Sequence, residues 1–261
     1  MRDLLVWTLF SGSSGNCVYV KTPDISLLID AGVSARAVET GLSTVGASLA
    51  EIGAIFVTHE HVDHVRGLEV ISKNHHIPVH MTEPSARALI HDPCCSLLGD
   101  LYLHPLVYAV RYGDTTVRSF LTCHDSAASV GYTVEYAAGG TTEKIGVVTD
   151  LGRVEDSVLD ALTGAEAAIV EANHDEEMLL TGPYPYALKR RILSDRGHLS
   201  NDAAGKLARA LADGGTKRFL LAHLSKENNY PAVAKAAVEA ALADVSGVSL
   251  DVALPDCPVK L

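Results

Sequence analysis

Between positions 58 and 64 the chain reads Thr58-His59-Glu60-His61-Val62-Asp63-His64, which packs three imidazoles and two carboxylates into seven residues. Imidazole and carboxylate are the side chains that bind zinc, manganese or iron near neutral pH. The spacing His-x-His-x-Asp-His also divides between two ions. In an extended turn His59 and His61 point the same way, and Asp63 and His64 follow at a bend. Two ions roughly 3.5–4 Å apart can hold one bridging hydroxide and clamp the oxygens of an ester or phosphodiester. A cluster this dense, directly after the apolar run 52–57, is not the pattern of scattered core or surface histidines.

The elements that must position this run are short. Residues 4–10, 17–21 and 26–29 are β-rich runs separated by turns, the first being the glycine-rich Ser11-Gly12-Ser13-Ser14-Gly15-Asn16. Residues 52–57 predict a buried strand that delivers the histidines at its C-terminal end. Helices are predicted over 34–45, with Ser34 as N-cap, and over 64–76, 83–91, 155–162, 202–211 and 232–243. Strands are predicted at 78–81, several times within 101–122, and in a hairpin of 130–136 and 144–148 around Gly139-Gly140. Three more follow at 167–170, 217–221 and 248–252. Apolar strands repeatedly end in a metal-competent residue: Asp30, His59, Asp150, Glu171 and His223, with His124 following the same rule. Ligands gathered at strand ends on one edge of a sheet make a single cleft. The alternation of strands and helices predicts two sheets packed face to face with helices outside.

The 261 residues are 48% apolar, with no polar linker and no repeat of solenoid length, which predicts one domain over 1–261. The apolar run 4–10 is too short for a signal peptide, and no segment approaches the roughly 20 apolar residues of a membrane helix. A cytoplasmic protein without a membrane partner is the expectation. Five cysteines, with Cys94 and Cys95 adjacent and no CxxC spacing, fit reduced thiols better than a disulfide framework. Cys123, beside His124, reads either as a ligand or as a small buried hydrophobe. A formal charge of −11 excludes broad, sequence-independent coating of nucleic acid. It leaves room for a phosphodiester, because two divalent ions make a cleft locally positive. The basic run Lys189-Arg190-Arg191, with Arg196, is either a solvated helix face or a phosphate contact.

With these residues in hand the chain resembles the metallo-β-lactamase-fold hydrolases, whose His-x-His-x-Asp-His motif it carries intact. A lone His124, then Asp150, then His223 arrive in that family's order. More narrowly, it is similar to the YycJ/WalJ family through Ser11-Gly12-Ser13-Ser14-Gly15-Asn16-Cys17, Leu28-Ile29-Asp30-Ala31-Gly32 and Thr149-Asp150-Leu151-Gly152. The likeness continues through Glu171-Ala172-Asn173-His174-Asp175, Gly197-His198-Leu199-Ser200-Asn201 and His223-Leu224-Ser225-Lys226-Glu227-Asn228-Asn229. These landmarks run from near residue 4 to about residue 230, and nothing past Asn229 is diagnostic.

That resemblance implies an α/β, four-layer αββα sandwich in a single domain and a catalytic core similar to RNase Z and RNase J. It implies that His59, His61 and His124 hold one divalent ion, zinc or manganese. Asp63, His64 and His223 hold a second, with Asp150 between them. It further implies a metal-bridging hydroxide as nucleophile, with Asp63 orienting it. Asp150, where some zinc β-lactamases have cysteine, argues against lactam hydrolysis. By the same resemblance His198 donates a proton to the leaving oxygen and Glu171 orients it. A pair that caps the helix after residue 200 is the competing reading. Asp30 is expected to support a ligand imidazole.

Ser13, Ser14 and Asn16 are candidate substrate contacts in the glycine-rich loop, which also reads as a plain turn. Ser225, Asn228 and Asn229 bind a terminal phosphate or cap the helix near Pro231. His174 lines the cleft or lies on a lid over the active site, residues 174–197. Tyr184 and Tyr186 on that lid stack on unpaired bases or form an aromatic underside packed on the core. The resemblance thus implies a dinuclear-metal phosphodiesterase, a 5′-to-3′ DNA exonuclease whose partner is DNA with a 5′ end. The alternatives are a hydrolase of a small ester, thioester or cyclic phosphate, an RNA-processing nuclease, and a metal-binding sensor without turnover.

Overall fold

The computed structural model describes residues 3–90 and 100–261. Its first sheet opens as an antiparallel meander of β1 (Leu5–Phe10), β2 (Cys17–Lys21) and β3 (Ser26–Ile29). It continues in parallel through β4 (Ile52–Phe56), β5 (Val79–Thr82) and β6 (Leu101–His104). Parallel neighbours need crossovers, and these are helical. Helix α1 (Ala35–Thr44) links β3 to β4, and Ser34 caps it by accepting from the Ala37 amide at 3.3 Å. Helices α2 (Val62–Val65) and α3 (Leu68–His75) link β4 to β5, and α4 (Glu83–Ile90) follows β5.

The second sheet repeats the plan. Strands β7 (Ala109–Tyr112), β8 (Thr115–Leu121), β9 (Val130–Ala138) and β10 (Thr141–Val148) form an antiparallel meander. Strands β11 (Ala167–Glu171), β12 (Arg218–Ala222) and β13 (Ser249–Val252) then add in parallel. Helix α5 (Asp156–Leu162) crosses from β10 to β11. Helices α6 (Glu176–Thr181), α7 (Tyr186–Ile192) and α8 (Asn201–Asp213) lie between β11 and β12, and α9 (Pro231–Ala241) between β12 and β13. The chain returns as β14 (Val259–Lys260) to cover the free edge of β1.

Side-chain alternation sorts the core into three layers. Val18, Leu27, Ile29 and Phe56 of the first sheet face Val117, Tyr132, Ile145 and Ile169 of the second. The outer face of the first sheet (Leu28, Ile55, Val79) packs on Val38, Leu42 and Ile71 of α1 and α3. The outer face of the second (Val148, Ala168, Phe219) packs on Leu162, Leu207 and Val238 of α5, α8 and α9. The result is the α/β, four-layer αββα sandwich.

Several boundaries differ from the sequence reading. The helix expected over 64–76 is broken at Gly67, whose amide donates to Ala31 O at 2.8 Å; a Cβ there would lie 2.2 Å from Val33 O. This break puts His64 on a one-turn helix of its own. The hairpin strands β9 and β10 are longer than expected and meet at Gly139-Gly140. The runs within 101–122 divide between the sheets, β6 in the first and β7 and β8 in the second. Segment 174–197, expected as a lid, contains α6 and α7, and β14 was not anticipated. His91 and the Cys94-Cys95 pair lie outside the described residues. Among the described residues no helix is long and apolar enough to cross a membrane.

Candidate metal centre

Strand ends from both sheets converge on one cleft. From the first sheet come Asp30, just past β3, and the loop after β4 with His59, His61, Asp63 and His64. From the second come His124 after β8, Asp150 after β10, Glu171 at the end of β11 and His223 after β12. Asp30, Asp150 and His223 adopt left-handed backbone, with φ of 63°, 60° and 57°. They are three of only four non-glycine residues that do so among the described residues. Such strain in L-residues persists where surrounding structure over-determines it, as it does at functional sites. Gly32 makes room for the histidine loop: a Cβ on it would fall 1.7 Å from Asp63 O. The Asn16 amide also donates to that oxygen at 2.8 Å, clamping the glycine-rich loop, the histidine loop and the end of β3 together.

The nitrogen and oxygen atoms that can ligate fall into groups within 4.8 Å of one another. One group is His59, His61 and His124; another is Asp63, His64 and His223. Asp150 lies between them, with Oδ2 3.3 Å from His64 Nε2 and Oδ1 3.5 Å from His223 Nε2 and 3.8 Å from His124 Nε2. His59 Nε2, Asp150 Oδ2 and His223 Nε2 are buried with no hydrogen-bond partner. Unpaired buried polar atoms are costly, and divalent cations in this cleft would satisfy all three. The residues therefore fit divalent metal ions.

The imidazoles of His59, His64, His124, His198 and His223 are oriented from behind. His64 Nδ1 is 2.8 Å from Asp30 Oδ2, and Asp30 also accepts from the Thr58 amide at 2.8 Å and the Thr58 hydroxyl at 2.9 Å. The same hydroxyl lies 3.0 Å from His59 Nδ1. His124 Nδ1 donates to Gly197 O at 3.0 Å, which fixes its tautomer and leaves Nε2 for the cleft. Glu171 is fully buried. Its Oε1 lies 2.7 Å from His198 Nδ1 and 3.0 Å from His223 Nδ1, and its Oε2 accepts from the Leu151 and Leu199 amides.

Charge follows this geometry. Burial opposes ionisation of Glu171, yet the imidazoles of His198 and His223 hold its carboxyl well below the usual range. Burial likewise opposes ionisation of Asp63, but its contact with His223 and the charge of His64 hold it well down. His64 is pulled down by burial and pushed up further by Asp150 and Asp30, to about 9. His59 is lowered, by burial first and then by the neighbouring imidazoles.

The expected substrate contacts separate into three kinds. Ser13 and Ser225 line the metal cleft, a cavity of about 260 Å³. Ser14 and Asn229 line a neighbouring cavity. Asn16 and Asn228 are buried and line neither. Asn16 is spent on its own loop, accepting from the Gly12 amide at 2.9 Å, and reaches His64 Nε2 at 3.2 Å. Asn229 donates to Ala172 O and Asn173 O at 2.9 and 3.1 Å. His198 does not cap α8; Ser200 does, accepting from the Ala203 amide at 3.3 Å. His174 is buried, with neither ring nitrogen hydrogen-bonded, and does not line the cleft. Cys123 points away, its thiol donating to Glu155 at 3.6 Å.

The basic run is largely occupied. Arg191 lines the cleft and pairs with Asp125, and Arg196 donates to His124 O at 2.9 Å. Lys189 donates to Leu180 O at 2.7 Å, and Arg190 lies over the Tyr186 ring. Helix α7 thus ties itself to the loop that carries His124. Its buried face is Ile192, while Tyr186 is 76% exposed, so the aromatic underside expected for this segment is aliphatic instead. Residues without an assigned role in the sequence reading include Thr58, Asn173 and Asp125. Asn173 lines the cleft and donates to His223 O at 2.9 Å. Only their adjacency to ligands hinted at them.

Residues 26–224 match the β-lactamase superfamily domain. The chain is 38% identical to the exodeoxyribonuclease YycJ of Bacillus anthracis, over 90% of its own length and 87% of that relative. It is 34% identical to the exodeoxyribonuclease WalJ of Streptococcus pneumoniae, over 93% and 90%. The metallo-β-lactamase fold protein YhfI of Bacillus subtilis superposes over the full length of both chains with a TM-score of 0.73 at 16% identity, a likeness of fold. The fold and the histidine–carboxylate cleft are those of a metallo-β-lactamase-fold hydrolase, an enzyme. Within that superfamily the chain belongs to the YycJ/WalJ family.

Proposed function

We propose that the protein is a dinuclear-metal phosphodiesterase that removes nucleotides from the 5′ end of single-stranded DNA. The observation that carries this reading is the Glu171–His198 pair, 2.7 Å apart beside the ligand cluster. The leaving alkoxide of a phosphodiester is strongly basic and needs a proton, and this pair can supply one. The names of the two exodeoxyribonuclease relatives support the same substrate class.

His59, His61 and His124 would hold one ion, Asp63, His64 and His223 the other, and Asp150 both. When bound, zinc or manganese ions supply Lewis acidity toward the phosphoryl oxygens and a water of lowered pKa. The chain's own residues do the rest. Asp30 and Thr58 hold the imidazoles of His64 and His59 in register. Asp63 orients the attacking oxygen. Glu171 accepts from Nδ1–H of His198 and so pairs with its imidazolium form, in which the opposite nitrogen, Nε2, carries the second proton, the one given to the leaving sugar oxygen. His198 is partly open to the cleft, as a proton donor must be, whereas Glu171 is sealed from water. Segment 174–197 serves as a cover along one side of the cleft.

The test is digestion of linear, end-labelled single-stranded DNA by manganese-loaded protein, with Asp63→Ala as control. Stepwise release from the 5′ end, absent in the variant, is expected. No digestion by protein shown to bind two metals would overturn the reading in favour of RNA or a small ester. Because the net charge is −11, affinity is expected to be modest and to depend on a terminal phosphate for positioning. Equal cutting of circular and linear strands would contradict that.

A further inference from the structure

A second cavity, of about 460 Å³, opens beside the metal cleft and shares Ser13, Tyr184 and Ser225 with it. Leu224, Ala253, Pro231 and Pro255 make much of its wall apolar, and the rings of Tyr184 and Tyr230 line it. Tyr230 is 61% exposed, unusual for a ring whose backbone is so firmly held. Its amide donates to Asn229 Oδ1 at 2.9 Å, and Asn229 in turn is anchored to Ala172 O, Asn173 O and Asn201. Pro231, the first residue of α9, holds it from the other side. Tyr184 is held differently: it precedes Pro185, whose ring restricts its backbone to extended conformations. Lys226 stands exposed at the rim.

We propose that this cavity is a nucleoside subsite, in which the unpaired base next to the scissile phosphate stacks on Tyr230 and Tyr184. The inference rests on the phosphodiesterase reading and extends it to one side of the metal centre. The shared walls of Ser13, Tyr184 and Ser225 make this cavity adjoin the cleft of the histidine–carboxylate cluster. The volume suits a single base and sugar. Rings on rigid supports stack without losing conformational freedom on binding, and every base offers a π-face, so the subsite selects for unpaired strands and not for sequence. The buried Asn228-Asn229 pair then acts at a distance. Asn229 is a positioning residue that fixes Tyr230, and its amide atoms are already engaged by Ala172 O, Asn173 O, Asn201 and the Tyr230 amide.

The experiment uses metal-loaded protein and single-stranded DNA carrying one abasic nucleotide at successive positions from the 5′ end. Tyr230→Ala and Tyr184→Ala are compared with Tyr186→Ala, whose exposed ring lies outside both cavities. Metal content and circular dichroism of each variant establish that it is folded and loaded. With the native enzyme, an abasic nucleotide at one position near the cut bond should raise KM about tenfold, within the range of a lost base–aromatic stack. Tyr230→Ala should raise KM by a similar factor on intact DNA and lose its sensitivity to the abasic position, while Tyr186→Ala behaves as native. In parallel, 2-aminopurine at that position, in a strand protected by phosphorothioate linkages, should be quenched on binding to the native protein and not to Tyr230→Ala. Native-like abasic sensitivity in both tyrosine variants, or none at any position in the native enzyme, would overturn the subsite and leave the phosphodiesterase intact. Failure of the native enzyme to cut any DNA would overturn both.

Discussion

The two halves of the sandwich build the same centre in opposite ways. The first sheet delivers His59, His61, Asp63 and His64 from one loop, within six consecutive positions. The second delivers His124, Asp150, Glu171, His198 and His223 from separate connections spread over a hundred positions. Each half uses a buried carboxylate at a strand end as its organiser. Asp30 serves His64 and Thr58, all within the first half. Glu171 serves two imidazoles and two backbone amides, and one of those imidazoles, His198, remains partly open to the cleft. The first half is therefore a compact cluster of candidate ligands from one stretch of chain, and the second adds candidate ligands together with the Glu171–His198 pair.

The largest effect is expected at Asp150, whose carboxylate lies within 4 Å of His64 from the first half and of His124 and His223 from the second. Asp150→Ala should lose metal and activity together, by roughly 1,000-fold or more in rate, the several kcal/mol that Lewis-acid stabilisation supplies. Metal content by elemental analysis alongside kcat checks this; a variant that keeps both ions would show that the halves bind independently. Next comes His198→Ala. It should keep its metals and lose about 100- to 10,000-fold in kcat, the usual range for a general acid. Normal turnover would remove His198 from the chemistry and make the second half a cluster of candidate ligands like the first.

Asp30→Asn should be milder. It keeps the shape behind His64 but weakens the carboxylate support, so metal affinity should fall about 10- to 100-fold with kcat at saturating metal nearly unchanged. Competition with a chromogenic chelator measures it, and unchanged affinity would mean that Thr58 suffices. The smallest effect is expected for Arg191→Ala. Its pair with Asp125 is about half exposed, so stability should change by no more than about 1 kcal/mol. The salt dependence of KM on DNA should flatten slightly if the guanidinium also meets a phosphate. Thermal melts and a salt series separate these outcomes.

The contrast between the halves also explains what was legible before folding. The run 58–64 is dense enough to be read directly, because ligands on one loop must be neighbours in sequence. The rule that apolar strands end in metal-competent residues located Asp30, Asp150, Glu171 and His223, because parallel strands of one sheet end on the same edge. His198 follows no strand and was legible only through the family resemblance. The substrate contacts were read less well. Asn16, Asn228 and Asn229 look like exposed polar loop residues, but all three are buried: the amides of Asn16 and Asn229 meet carbonyls and His64, and Asn228 donates to the Ser225 hydroxyl. An amide's hydrogen-bonding capacity is visible in a sequence; the direction in which it is used is not.

Local pattern was enough to specify the strand–helix alternation and most of the residues that gather in the cleft, since periodicity and residue type are properties of short segments. Pairing β14 with β1, breaking the 64–76 helix at Gly67, turning Arg191 and Arg196 onto the His124 loop and opening a cavity between Tyr184 and Tyr230 were decided by the assembled molecule. Each depends on segments far apart in the chain approaching within a few ångströms, and sterics and hydrogen-bond partners at that range exist only once both sheets have closed on one another.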